Sequence, residues 1–70
     1  MIEVFKTNIE TVDESNLVLG ILTNNFPELR INFDLDDFDK ILRVEGNNLI
    51  IVQIISIIRE NGFYCEVLPD

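Results

Sequence analysis

The chain has 70 residues, 13 acidic and five basic, so its net charge is −8, and it contains no histidine. This length suits a single domain, residues 1–70. The acidic balance argues against nucleic acid and anionic membranes as partners, because both are bound through basic patches. The single cysteine, Cys65, excludes an intramolecular disulfide and a Cys/His zinc site within one chain.

The first half of the chain predicts a strand, a helix and a second strand. Residues 2–6 fit a strand, with Phe5 on the face opposite Val4. Residues 11–14, TVDE, fit a capping box and predict a helix that runs to about Asn24. Residues 29–36 alternate between apolar and polar side chains, which is typical of a strand with one buried face.

The second half predicts a strand, a helix and a last strand. An Asp-rich turn at residues 36–39 leads into a strand at 40–45, so the second and third strands form a hairpin. Gly46, Asn47 and Asn48 end that strand and cap a helix from about 49 to 61. Gly62 suits the left-handed residue that closes a helix, and residues 63–68 fit a strand.

The order strand, helix, strand, strand, helix, strand predicts an α+β fold of the ferredoxin-like βαββαβ type. In this arrangement two helices cover one face of a four-stranded antiparallel sheet. The first and third strands are central, the second and fourth are edges, and the other face of the sheet is open.

The length, this element order, the acidic strand pair INFDLDDFDKILRVEG and the ending IIRENGFYCEVL resemble the heavy-metal-associated (HMA) domain of copper chaperones and metal-transporting ATPases. The resemblance covers essentially the whole chain. In that family the last helix typically ends in a glycine followed by an aromatic residue, as Gly62 and Phe63 do here. Family members bind Cu(I) or another soft ion through a Cys-x-x-Cys motif between the first strand and first helix. The matching positions, within residues 7–14, hold no Cys, His or Met. The resemblance therefore implies an HMA-like domain with no thiolate metal site and no cofactor.

The acidic hairpin offers an alternative site, for a hard cation of the calcium type or a small ligand. Three of its carboxylates fall at positions 1, 3 and 12 of a calcium-loop count, but Phe38 and Asp39 occupy positions 5 and 6. An EF-hand needs an oxygen ligand and a glycine there, so the match is partial. The other interpretation is a solvated hairpin tip that deters edge pairing. The candidate ligands are Asp34, Asp36, Asp37, Asp39 and Glu45.

The second predicted helix has more apolar residues than one buried face requires. The surplus predicts an interaction surface formed by Ile50, Val52 and Ile57. A second candidate surface is the open face of the sheet, where Phe5 and Tyr64 are expected on neighbouring strands. A slip of one residue in strand phase would turn both aromatic side chains inward.

No catalytic constellation is visible, because the chain has no histidine, no Gly-rich phosphate loop and no serine beside a base. Cys65 is expected to be a small buried hydrophobe, the alternative being an exposed thiol that pairs two chains. The sequence thus predicts a non-catalytic protein-interaction or self-association module, with a protein partner or a homodimer. The start MIEVFK lacks the pattern of a signal peptide, so we expect a cytoplasmic location.

Overall fold

The computed structural model describes residues 1–69 and has the predicted order of elements. The elements are β1 (Ile2–Thr7), α1 (Val12–Asn25), β2 (Arg30–Asp34), β3 (Ile41–Glu45), α2 (Ile51–Glu60) and β4 (Cys65–Val67). The predicted α+β class is confirmed. Within residues 1–69, neither helix has the length and apolar character needed to cross a bilayer.

The four strands form one sheet in the order β2-β3-β1-β4, and all neighbouring strands are antiparallel. β1 and β3 are therefore central and β2 and β4 are edges, as the split βαβ arrangement predicts. The register places Phe5 beside Leu42 and Val67, and Leu42 also beside Phe33. This row of apolar side chains runs across the whole sheet on the face that the helices cover.

A single core cluster lies between that face and the two helices. Both helices contribute to it, α1 through Val18 and Leu22 and α2 through Ile54 and Ile58, so both cover the same face. Phe5 is fully buried in this core, and its predicted position on the open face is wrong. β1 is apolar on both faces, so its alternation alone does not decide which face points inward; the pairing of Phe5 with Leu42 does.

The start of α1 confirms the predicted capping box. Thr11 Oγ1 accepts a hydrogen bond from the Glu14 N–H at 3.0 Å, and Glu14 Oε1 accepts one from the Thr11 N–H at 3.1 Å. Two of the four backbone donors left free at a helix start are thereby satisfied. This cap fixes the direction in which the chain leaves the loop after β1.

The start of α2 differs from the prediction. The helix begins at Ile51 with Ile50 at the cap position, and no side chain caps it, so the expected role of Asn47 and Asn48 as caps is wrong. Leu49, the predicted first residue of the helix, lies before it and packs against the core. At the other end, Gly62 has a φ of +90°, which confirms its predicted left-handed conformation.

Candidate functional site

Hydrogen bonds from polar side chains hold the loop between β1 and α1 against its neighbours. Thr7 Oγ1 donates to the Lys40 carbonyl at 2.6 Å and accepts from the Ile9 N–H at 3.1 Å. Asn8 Oδ1 accepts from the Tyr64 N–H at 2.7 Å, which ties the loop to the start of β4. The side-chain oxygens of this loop thus hold neighbouring segments together.

Glu14 completes the closure of this loop. Its Oε1 accepts from the N–H groups of both Glu10 and Thr11, at 3.1 Å each. The hydrogen bonds from these two N–H groups lower the pKa of Glu14 below 4.5, because they favour the charged carboxylate. The bond from the Glu10 N–H has the larger effect. Glu14 is consequently a charged structural cap at neutral pH.

The turn between β2 and β3, residues 35–40, is held by hydrogen bonds within itself. Asp37 Oδ1 accepts from the Asp39 N–H at 2.8 Å, and the Asp37 carbonyl accepts from the Lys40 N–H at 3.1 Å. Lys40 Nζ donates to the Leu35 carbonyl at 2.9 Å, and Lys40 adopts a left-handed conformation with φ +49°. The Thr7 N–H also donates to the Asp39 carbonyl at 3.1 Å, so the turn is anchored to β1.

The structure does not gather the predicted cation ligands into one site. Among residues 1–69, no group of three or more His, Cys, Asp and Glu side chains is placed to hold a metal ion. Glu45 lies opposite Arg30, whereas Asp34 lies opposite Ile41, at the other end of the β2–β3 ladder. Four residues of strand separate these ends, which is about 13 Å. Asp36 and Asp37 are exposed, Asp37 accepts from the Asp39 N–H within the turn, and Asp39 forms an ion pair with Lys6 at 3.7 Å.

Phe38 is the most exposed large apolar side chain among residues 1–69, at 92% of its full accessible area. It lies at the apex of the anchored turn, between Asp37 and Asp39. Phe38 is not among the residues that the sequence predicts for interaction. The available signal was an aromatic residue inside an Asp-rich turn, where neither a strand nor a helix explains its presence.

The predicted apolar surface on α2 is present in part. Ile50 and Val52 are 51% and 75% exposed, but Ile57 is partly buried against the core and does not belong to a free surface. Both exposed residues lie where α2 begins. Tyr64 is 42% exposed and lies at the opposite end of the sheet, just before β4. The residues predicted for interaction are therefore not brought together.

Arg59 joins the end of α2 to β4. Its Nε and one terminal nitrogen donate to the Cys65 carbonyl at 3.2 and 3.0 Å, and its guanidinium carbon lies 5.7 Å from the centre of the Tyr64 ring. The Cys65 side chain is fully buried, which confirms its predicted role as a small hydrophobe. Burial raises the pKa of its thiol to about 11, so the thiol stays protonated at neutral pH.

The charges on the open face of the sheet balance one another. Three of the five basic residues lie there, Lys6, Arg30 and Arg43, and three acidic residues accompany them, Asp34, Glu45 and Glu66. The net charge of −8 therefore comes from the rest of the chain. The turn that carries Phe38 contributes to it through Asp36, Asp37 and Asp39.

Comparison of the chain with protein-family models, with curated proteins and with solved structures finds no match. The resemblance to HMA domains gains no support from these comparisons and stays a hypothesis.

Proposed function

We propose that this chain is a non-catalytic protein-interaction domain that binds a basic partner through the turn carrying Phe38. The observation that carries the proposal is the 92% exposure of an aromatic side chain on a turn held by hydrogen bonds. An exposed phenylalanine is unfavourable in water and gains free energy when a partner buries it. Buried aromatic side chains commonly dominate the binding energy of protein interfaces.

The anchoring of the turn supports this function because a preorganised loop loses little conformational entropy on binding. Thr7 fixes the turn to β1 from both its N–H and its hydroxyl group, and Lys40 closes it from within. The aromatic side chain is thus presented by rigid neighbours. Asp36 and Asp37, which precede it in the chain, are exposed, so the matching partner surface is an apolar pocket rimmed by basic residues.

The proposal includes two expectations from the sequence. The first is a domain that resembles HMA domains and lacks their thiolate metal site; the side chains of Thr7, Asn8 and Glu14 in the corresponding loop are engaged in hydrogen bonds instead. The second is a cytoplasmic location, which suits a chain whose one thiol is buried and forms no disulfide.

Affinity capture from cell extract with tagged wild-type chain, Phe38→Ala and Leu17→Ala tests the proposal. Leu17 is the matched control because it is an apolar residue on α1 that is 54% exposed. We expect Phe38→Ala to lose the proteins that wild type and Leu17→Ala retain, with stability changed by less than about 0.5 kcal/mol. Retention of the same proteins by Phe38→Ala would contradict the proposal, as would a wild-type chain that retains nothing above a tag-only control.

A further inference from the structure

The two edge strands differ in what their outward backbone groups contact. In an antiparallel ladder, hydrogen-bonded and non-hydrogen-bonded pairs alternate, so one known bond fixes the whole pattern. The Leu68 N–H donates to the Val4 carbonyl at 2.8 Å, which directs the backbone of Glu66 to β1 and that of Cys65 and Val67 outward. The outward Cys65 carbonyl is the one that Arg59 caps.

The same reasoning applies to β2. The Gly46 N–H donates to the Met1 carbonyl at 3.0 Å, so Leu42 and Val44 direct their backbone groups to β1. The other residues of β3 face β2, where their partners are Arg30, Asn32 and Asp34. The N–H and C=O groups of Ile31 and Phe33 therefore point away from the sheet. Within residues 1–69, no side chain or loop hydrogen-bonds to them.

The sequence of β2 is self-complementary about its central residue. Residues 29–35 read Leu-Arg-Ile-Asn-Phe-Asp-Leu, and β2 itself, Arg30–Asp34, is centred on Asn32. If two copies pair antiparallel about Asn32, Arg30 of each lies opposite Asp34 of the other, on the open face. On the helix face, Ile31 of each copy lies opposite Phe33 of the other.

We propose that β2 is a self-association edge, which pairs antiparallel with β2 of a second copy of this chain about a two-fold axis at Asn32. In this register, Ile31 of each copy forms a hydrogen-bonded pair with Phe33 of the other, which agrees with the outward direction of their backbone groups. The two Asn32 residues form the central, non-hydrogen-bonded pair. The pairing creates two Arg–Asp contacts and two apolar contacts. The product is one continuous eight-stranded sheet with the helices of both copies on the same face.

A second copy fits this edge better than an unrelated strand, because within β2, Arg30–Asp34, pairing about Asn32 sets each Arg30 opposite an Asp34 of the other copy. Moving the centre to Ile31 would place Asp34 opposite Glu28, a repulsive pair. The inference is independent of the proposed role of Phe38, which lies in the turn beyond the strand. A failure of either proposal leaves the other intact.

Cysteine cross-linking tests the register. The central Asn32–Asn32 pair is a non-hydrogen-bonded pair. Such a pair has a Cα–Cα distance of about 4.5 Å, within the range that a disulfide spans. In a Cys65→Ser background, we expect Asn32→Cys to form a covalent dimer in a glutathione redox buffer. Val52→Cys is the matched control, because Val52 is 75% exposed on α2, away from the paired strands, and should remain unlinked.

Charge reversal tests the same pairing without a cross-link. We expect Asp34→Arg alone to lower the dimer fraction at least tenfold in sedimentation equilibrium, because Arg30 then faces an arginine. The double variant Arg30→Asp/Asp34→Arg restores the opposite charges and should restore dimerisation. Circular dichroism checks that each variant is folded, and Val52→Glu, an exposed change on α2, should leave the dimer fraction unchanged.

Three outcomes would overturn the proposal. The first is a wild-type chain that stays monomeric at millimolar concentration. The second is a dimer in which Asn32→Cys and Val52→Cys cross-link equally. The third is a dimer that Asp34→Arg leaves intact and Val52→Glu dissolves, which would place the interface on α2 instead.

Discussion

The two edge strands of this sheet, β2 and β4, differ in how their outward backbone groups are covered. Every edge strand presents backbone groups that another chain could pair with. β4 is three residues long, and the Arg59 guanidinium covers the outward Cys65 carbonyl at 3.0 and 3.2 Å. β2 is five residues long, and within residues 1–69 its outward groups at Ile31 and Phe33 have no partner.

The difference shows that the edge of β4 is covered by a side chain from the end of a neighbouring helix, not by the strand itself. Arg59 reaches β4 because α2 ends beside it and Gly62 reverses the chain with a left-handed residue. No helix end of this kind serves β2, where the hairpin turn at residues 35–40 is anchored to β1 instead. The β4 edge thus has its outward Cys65 carbonyl covered, whereas within residues 1–69 the outward groups of Ile31 and Phe33 on the β2 edge have no hydrogen-bond partner.

The largest loss of stability should come from truncating a core side chain of β1 that lies between both neighbouring strands. Phe5 lies opposite Leu42 on one side and Val67 on the other, and it is fully buried. We expect Phe5→Ala to lower the free energy of unfolding by about 3–5 kcal/mol, measured by urea denaturation. Ile2→Ala, on the opposite face of β1 and 59% exposed, is the control and should change it by less than about 0.5 kcal/mol. Equal effects of the two changes would contradict the inward position of Phe5.

A smaller loss of stability should come from removing the Thr7 hydroxyl group, which holds the β2–β3 turn and the loop after β1. Thr7→Val keeps the shape of the side chain but leaves the Lys40 carbonyl and the Ile9 N–H without their hydroxyl partner. We expect a loss of about 1–3 kcal/mol in the same denaturation experiment. Thr7→Ser retains the hydroxyl and should recover most of that loss; a serine variant as unstable as the valine variant would show that the hydroxyl is not the cause.

Removing the cap on β4 should cost less stability and change the association behaviour more. Arg59→Ala frees the Cys65 carbonyl, and because the guanidinium lies near solvent we expect a loss of only about 1 kcal/mol. With both edges open, chains can add at either side, so light scattering should show species larger than a dimer. Arg59→Lys keeps a donor and should reduce this growth. An Arg59→Ala variant with the mass of wild type would contradict the capping role.

The smallest effect should come from Glu14, which lies at the start of α1 and touches neither edge. Its folded-state pKa is lowered below 4.5, so its contribution to stability is present above that pH and is lost as the pH falls through the lowered pKa. We expect Glu14→Gln to be less stable than wild type at pH 7 and to lose less stability between pH 5 and pH 3. The dimer fraction at pH 7 should be unchanged. Parallel pH profiles for the two proteins would contradict the assignment of the charge effect to Glu14.

Much of the fold follows from local signals in the sequence. The TVDE capping box, the alternation before and within β2, and Gly62 each determine local structure through nearby atoms, and all three match the structure. The inward position of Phe5 could not be found this way, because β1 is apolar on both faces and only pairing with Leu42 decides between them. Tertiary contacts decide such positions.

The candidate sites were less accessible to sequence reasoning. Spacing along the chain suggested that Asp34 and Glu45 share a cation, but antiparallel pairing sends them to opposite ends of the ladder. The exposure of Phe38 depends on a turn held by Thr7, which is distant in sequence. The availability of the β2 edge depends on which residues of β3 face it, a property that the strand register and hydrogen bonds reveal.

Amide hydrogen exchange measured by NMR at two concentrations tests the difference between the edges most directly. We expect the Ile31 and Phe33 amides to exchange rapidly in dilute solution and to become protected at least tenfold at a concentration where the dimer forms. The Val67 amide, which also points outward but on the β4 edge, should exchange at the same rate in both samples. Unchanged exchange at Ile31 and Phe33 in a dimeric sample, or new protection at Val67, would contradict the assignment of β2 as the pairing edge.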